Sequence, residues 1–271
     1  MINSSQHQLG IFSWFGWVLP LPDRVKLIKK AGFGATTLWW EDEIGSPVIK
    51  KERMPDMVRD AGLIVENIHI PYDDCDDLWS EHKPTRDAIV NKYIHWLNDC
   101  AEYYIPIMVM HITNFSGLPT PDQNGKYGLD SIGRLLKAAE DLGIMIALEN
   151  TDREDYIHYV LSEIHSDYLG FCYDSSHNRR YGHNTLDLLR KRANRITSTH
   201  LSDNDGIEDR HWLPGEGIID WNQLADLFPS NYTGCFTLEV CPTEQELRQT
   251  PESFLSQAYK SALWLKKLCY K

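Results

Sequence analysis

Short runs of apolar residues alternate with longer amphipathic segments along the whole chain. The first run spans Leu9 to Trp14. A segment opened by Pro22-Asp23-Arg24 reads as a helix through Ile28 and stops at Ala31-Gly32, a helix-ending signal. Ala35 to Trp39, Leu63 to Ile68, Ile107 to Met110, Ile144 to Leu148, Leu169 to Tyr173, Ile196 to Thr199 and Cys235 to Leu238 repeat the strand-like pattern. Helices are expected over Met54 to Ala61, Thr85 to Tyr103, Ser131 to Leu142, Asp155 to Ile164, Thr185 to Arg192 and Trp221 to Leu227, and from Glu244 onward. In the Thr85–Tyr103 segment, Ile89, Tyr93, Trp96, Leu97 and Cys100 form one apolar stripe, the mark of a core-facing helix. Thr113 to Gly128, rich in Gly, Pro and Asn, reads as one long loop.

Strands that alternate with helices favour parallel pairing through crossovers. The expected fold is therefore α/β, a (β/α)8 barrel formed by residues 1–271 as a single domain, since no Pro-, Gly- or Ser-rich linker divides the chain. In such a barrel the active site lies at the carboxyl ends of the strands. The third to eighth apolar runs end in His69, His111, Glu149, Asp174, His200 and Glu239.

A lone histidine or carboxylate at a strand end is ordinarily a satisfied structural residue, and His7, His82, His95, His158, His165 and His183 fall in no pattern. The six strand ends differ because they coincide. Histidine is 11 of 271 residues, so three of six strand ends in histidine is not expected from composition. Imidazoles and carboxylates crowded at one buried site need compensation, and a divalent cation supplies it. Mixed Asp, Glu and His donors suit Zn²⁺ or Mn²⁺, with Mg²⁺ or Co²⁺ as further candidates. No thiolate is expected to join them. No lysine ends a strand, which argues against a Schiff-base enzyme, and there is no Gly-x-Ser-x-Gly nucleophile elbow. Gly215-Glu216-Gly217 is too short for a nucleotide fingerprint; it reads as a tight turn or as a loop that brings Glu216 to a ligand.

Charge narrows the partners. With 27 basic and 39 acidic residues the net charge is −12, which weighs against nucleic acid. No run approaches the roughly 18 apolar residues of a membrane span. The first seven residues have neither a basic nor an apolar leader region. Six cysteines lack any Cys-x-x-Cys pair, and Cys172 and Cys235 read as small core residues. A cytoplasmic enzyme acting on a small molecule is expected, with homo-oligomerisation left open.

Asn67-Ile68-His69-Ile70-Pro71, Met110-His111, Leu148-Glu149-Asn150, Asp174-Ser175-Ser176-His177, Thr199-His200-Leu201-Ser202-Asp203, Asp209-Arg210-His211 with Pro214-Gly215-Glu216-Gly217, and Leu238-Glu239-Val240 resemble, in order, the xylose-isomerase-like TIM-barrel superfamily. In its sugar branch the resemblance implies one metal held by residues matching Glu149, Asp174, His200 and Glu239. In its endonuclease IV-type branch it implies three zincs, with His69, His111, His177, Asp209 and His211 completing the set. The acidic loops Tyr72-Asp73-Asp74-Cys75-Asp76-Asp77 and Asp203 to Asp209 favour the sugar branch over a DNA ligand. The expectation is a metal-dependent sugar or sugar-phosphate isomerase or epimerase. Glu149 would take a proton and Glu239 return one, through a metal-stabilised enediolate. His69, His111, His177, Asp209, His211 and Glu216 would bind a sugar or polyol, and Trp14, Trp39 and Trp212 would wall the pocket. An abasic-site endonuclease and an inosose dehydratase-like lyase are the alternatives.

Overall fold

The structure, a computed structural model, describes residues 8–114, 117–182 and 186–270. The first seven residues with His7, part of the long loop, His183, Thr185 and the last residue lie outside the described residues. Eight strands form one parallel sheet: β1 (Leu9–Phe12), β2 (Ala35–Trp39), β3 (Ile64–His69), β4 (Ile107–Met110), β5 (Met145–Glu149), β6 (Leu169–Asp174), β7 (Ile196–His200) and β8 (Phe236–Leu238). Each pairs with its sequence neighbour, and β1 also pairs with β8. Leu201 closes the circle: its N–H donates to Thr237 O at 2.9 Å, and its carbonyl accepts from Glu239 N–H at 3.3 Å. The fold is the expected (β/α)8 barrel.

The helices among the described residues are α1 (Leu21–Ala31), α2 (Met54–Asp60), α3 (Lys83–Glu102), α4 (Pro121–Leu142), α5 (Glu154–Glu163), α6 (Ser175–Tyr181), α7 (Asp187–Arg192), α8 (Trp221–Leu227) and α9 (Pro251–Cys269). The stripe of α3, from Ile89 to Cys100, is buried as the periodicity requires. None of these helices is long and apolar enough to cross a membrane.

Strand alternation places the chemistry. Two residues back from His69, His111, Glu149, Asp174, His200 and Glu239 stand Asn67, Val109, Ala147, Cys172, Ser198 and Thr237, all fully buried. On one side of this lower layer Val109, Ala147 and Cys172 pack together. On the other, Asn67 donates to Ser198 Oγ at 3.1 Å, and Thr237 Oγ1 donates to Glu66. Glu66 points inward because the β2–β3 register shifts across it.

Three expected boundaries are corrected. The closing helix begins at Pro251 rather than Glu244, because Pro251 presets the first turn and Thr250 caps it. Ser175–Tyr181, where no helix was expected, is helical because Asp174 caps it.

The loop expected from Thr113 to Gly128 ends at Thr120; the rest is the first turns of α4. Its glycines signalled a loop, yet they serve packing. A Cβ on Gly125 would meet the Tyr159 ring at 2.4 Å, and one on Gly128 would meet the Trp79 ring at 2.0 Å. Trp79 cannot yield easily, being buried, bonded to Ile112 O and edge-on to Tyr156 at 4.3 Å. Gly128→Ala should therefore destabilise by about 1–3 kcal/mol despite the better helix propensity of alanine. Urea denaturation checks this; a stabilised variant would contradict it.

Candidate metal centre

Glu149 stands at the centre of the barrel mouth, buried, with four histidines around its carboxylate. His69 Nε2 is 3.0 Å and His200 Nδ1 3.1 Å from Oε2, His111 Nε2 is 3.6 Å from it, and His177 Nδ1 is 3.3 Å from Oε1. Glu239 Oε2 lies 2.9 Å from the same His200 Nδ1. One ligand atom from each of Glu149, Asp174, His200 and Glu239 falls within 4.8 Å of all the others.

The distribution of satisfied and unsatisfied atoms discriminates within this crowd. Both ring nitrogens of His200, Asp174 Oδ2 and Glu239 Oε2 are buried without a hydrogen-bond partner. The two carboxylate contacts to His200 are close but lack hydrogen-bond geometry. Buried polar atoms left this way are costly. Atoms that converge without bonding one another fit a shared cation, and two Glu, one Asp and one His form a donor set for Mn²⁺ or Zn²⁺.

Asp174 is built for that use. Its Oδ1 accepts the His177 N–H at 2.6 Å, capping α6 and leaving Oδ2 free. Its backbone is clamped by Asn150, whose Oδ1 accepts from Asp174 N–H at 2.8 Å and whose Nδ2 donates to Asp174 O at 2.9 Å. Asn150 is a positioning residue that sequence reasoning quoted but gave no role; its place directly after Glu149 was the available signal. Ser175 performs a similar service, donating to Ser202 O at 2.7 Å and accepting Ser202 N–H at 2.9 Å, which ties the ends of β6 and β7 together.

Three other histidines share one design. His69 donates from Nδ1 to Ile70 O at 2.9 Å, His177 to Asn150 O at 2.9 Å and His211 to Glu239 O at 3.1 Å. A carbonyl only accepts, so Nδ1 carries the hydrogen and Nε2 turns inward, the arrangement typical of metal-binding histidines. His177 Nε2 and His211 Nε2 both reach Asp209 Oδ2, at 2.9 and 3.0 Å, and Ser176 Oγ donates to Oδ1 at 2.6 Å. His211 takes a left-handed backbone, φ 52°, to do so. This triad satisfies itself, whereas Asp174, His200 and Glu239 each keep a buried ligand atom without a partner.

The titration behaviour shows how much charge is packed here. Burial pushes Glu149 up, but His200 and His111 hold it well below the usual carboxylate range. Burial acts likewise on Glu239, and His200 holds it at about 2. Burial raises Asp174 to about 7 and lowers His111 to about 4. His211 rises to about 9 because Asp209 outweighs its burial. Burial in the layer below pushes Glu66 up to about 7. An unfolded glutamate ionises near 4.5, so between these values the folded state binds more protons and loses stability as pH rises. Glu66→Gln should leave stability unchanged below pH ~4.5 and gain up to roughly 3 kcal/mol above pH ~7. A flat difference in denaturation free energy between pH ~4 and pH ~8 would contradict this.

Two expectations change. Cys172 lies beside Glu149 and His200, within the same 4.8 Å limit, although no thiol was expected near the site. Burial pushes its thiol up to about 12, so it offers no thiolate. The loop after His200 is less acidic on its surface than its sequence suggests. Asp203 is buried and accepts from Asn204 N–H, Ile219 N–H, Gly215 N–H and the Trp221 indole at 2.8–3.0 Å. Asp205 is engaged by Ile207 and Glu208 N–H and by Arg210, and Asp209 by the histidines. The Gly-x-Gly turn is part of this device: Gly215 gives its N–H to Asp203, and a Cβ on Gly217 would meet Asp203 Oδ1 at 2.3 Å. Glu216 is exposed on that turn, with Glu246 and Asp203 as its charged neighbours. Trp14 and Trp39 line the cavity at the barrel mouth; Trp212 instead pairs its backbone with Asp203.

The sequence matches the family described as xylose isomerase-like TIM barrel over residues 25–258. An uncharacterized protein, y4fM, of Sinorhizobium fredii is 23% identical over 275 residues, covering 89% of this chain and 87% of its own length. Among solved structures, D-psicose 3-epimerase from Clostridium cellulolyticum H10 superposes with a TM-score of 0.74 at 14% identity, over 97% of this chain and 100% of that one. The 3-keto-D-glucoside 4-epimerase of E. coli superposes with a TM-score of 0.72 at 17% identity, over 97% and 100%. At these identities the likeness establishes the shared fold.

Proposed function

The chain belongs to the xylose isomerase-like TIM-barrel family, and within it we propose that this protein is a divalent-metal-dependent sugar epimerase or isomerase. The observation that carries this is the convergence of Glu149, Asp174, His200 and Glu239 at the barrel mouth, the last three with buried ligand atoms that lack a hydrogen-bond partner. These four residues would hold the cation, which when bound supplies Lewis acidity to carbonyl and hydroxyl oxygens of a ketose.

The rest of the chemistry falls to the side chains. Glu149 and Glu239 flank His200 and are both held ionised, so each can receive a proton from carbon. One carboxylate takes the proton beside the carbonyl; the other, after taking up a proton from solvent, delivers it to the opposite face, and the first then releases its proton to solvent. Glu239, a quarter exposed, and His211 border the cavity and face incoming substrate. His211 has both ring nitrogens engaged, by Glu239 O and Asp209, so it offers the substrate the surface of a fixed ring. His177 buttresses Asp209 and Glu149 together. The neighbours in structure space act on sugars by their own descriptions, D-psicose and a 3-keto-D-glucoside, in keeping with this reading.

A second reading rests on a specific observation. His69, His111 and Glu149, and separately His177, Asp209 and His211, also gather within metal-ligand distance. Three such groups match a trinuclear zinc endonuclease. Metal analysis of the purified protein separates the two. About one cation per chain supports the epimerase; three zincs, with cleavage of a duplex carrying an abasic site, would replace it.

A further inference from the structure

The barrel mouth opens into a cavity far larger than the reacting sugar needs. Its volume is about 840 Å³, room for about 28 waters at ~30 Å³ each, whereas a hexose has about a dozen heavy atoms. Glu239 and His211 border its inner end, together with Phe12 and Trp39. Phe12 packs edge-on to His200 at 5.9 Å, and Trp39 stacks on His69 at 5.2 Å, so this end abuts the reactive cluster. Away from it the wall is apolar: Leu19, Ile49, Met54 and Met57, ending at a rim where Val18 and Ile44 are 90% and 99% exposed.

Apart from Glu239 at the inner end, the charged groups of the wall already have partners. Of its cations among the described residues, His211 is held by Asp209, and Arg24 pairs with Glu43 and donates to Ser13 O and Leu19 O at 2.8 and 2.6 Å. Glu41 accepts from the Trp39 indole at 2.7 Å, and Asp42 from Lys50 at 2.6 Å. A phosphate in this cavity would lie among Glu41, Asp42, Glu43 and Glu239, with no unpaired cation among the described residues of the wall.

We propose that the substrate is a keto-sugar carrying an uncharged apolar substituent, an alkyl or aryl group on its anomeric oxygen, rather than a free or phosphorylated monosaccharide. The sugar ring lies against Glu239 and His211, and the substituent fills the cavity between Leu19, Ile49 and Met57. A substituted anomeric oxygen locks that carbon, so the carbonyl beside the abstracted proton sits on another ring carbon. The identity of the reacting sugar rests on the proton-transfer reading above; the apolar substituent rests on the cavity.

The test is calorimetric binding of glucose, glucose 6-phosphate and methyl, butyl and hexyl β-D-glucosides to the metal-loaded protein. It is run on wild type and on the double variant Val18→Asp/Ile44→Asp, whose exposed positions leave the fold intact. Each buried methylene should tighten binding by up to about fourfold. Hexyl glucoside is therefore expected to bind at least tenfold more tightly than methyl glucoside, with glucose 6-phosphate no tighter than glucose. In the variant this gain shrinks while glucose binding stays as it was. Equal binding of methyl and hexyl glucosides, tightest binding of the phosphate, or an undiminished gain in the variant would overturn the proposal. Hydrogen exchange of methyl and hexyl keto-glucosides in D₂O keeps the two readings apart. Chain-length-dependent binding with no exchange refutes the proton-transfer reading alone. Exchange that is equally fast in free ketoses and hexyl keto-glucosides refutes the apolar substituent alone.

Discussion

Glu149→Gln is expected to lower the turnover of epimer interconversion by about 10²- to 10⁴-fold, the span over which a positioned acid or base acts. Glutamine keeps the shape and removes the one group that four histidines surround. Glu239→Gln should be comparably damaging to net interconversion, but the two variants should differ in which epimer still exchanges hydrogen with solvent. Each carboxylate serves one face of the reacting carbon, so the intact one still removes a proton from the epimer it faces. Isotope exchange followed separately from each epimer reads this out. Both residues are also proposed cation ligands, so cation content is measured alongside. Two variants that retain full turnover would remove proton transfer from these carboxylates altogether.

The second large effect is on stability. A cation that binds the folded state alone stabilises it by about 4 kcal/mol at a thousand times its dissociation constant. For a chain of this size that corresponds to a rise in Tm of roughly 8–16 °C. Mn²⁺ or Zn²⁺ should produce the rise and a chelator should reverse it, because the ligand atoms of Asp174, His200 and Glu239 are buried and unsatisfied. Asp174→Asn combined with Glu239→Gln should abolish the response. His177, Asp209 and His211 satisfy one another, so His211→Asn should leave most of it in place. A Tm indifferent to Mn²⁺, Zn²⁺, Co²⁺ and Mg²⁺ would mean that the four residues hold no cation.

Much of this centre was legible in the chain because a parallel barrel repeats one rule. Apolar runs mark the strands, and the first polar residue after each run lands at the barrel mouth. That is how His69, His111, Glu149, Asp174, His200 and Glu239 could be grouped before any coordinates. Residues that act through others were not legible. Asp203 looks like one more loop acid, and only the fold shows four N–H groups closing on it. Gly125 and Gly128 carry a loop composition that Tyr159 and Trp79 explain only after α3, α4 and α5 are assembled. Cys172 sits one alternation below the site, a position that depends on register. The apolar cavity is built from the segments after β1 and β2, which carry no motif.

The most direct test is hydrogen exchange. The metal-loaded protein is incubated with a panel of ketoses and alkyl keto-glucosides in D₂O, and loss of the proton beside the carbonyl is followed by NMR. Exchange at a single carbon in at least one substrate, accompanied by its epimer or isomer and lost from one of the two epimers in Glu149→Gln, is the predicted result. No exchange in any of them, from protein that carries its cation and cuts an abasic-site duplex, would contradict it.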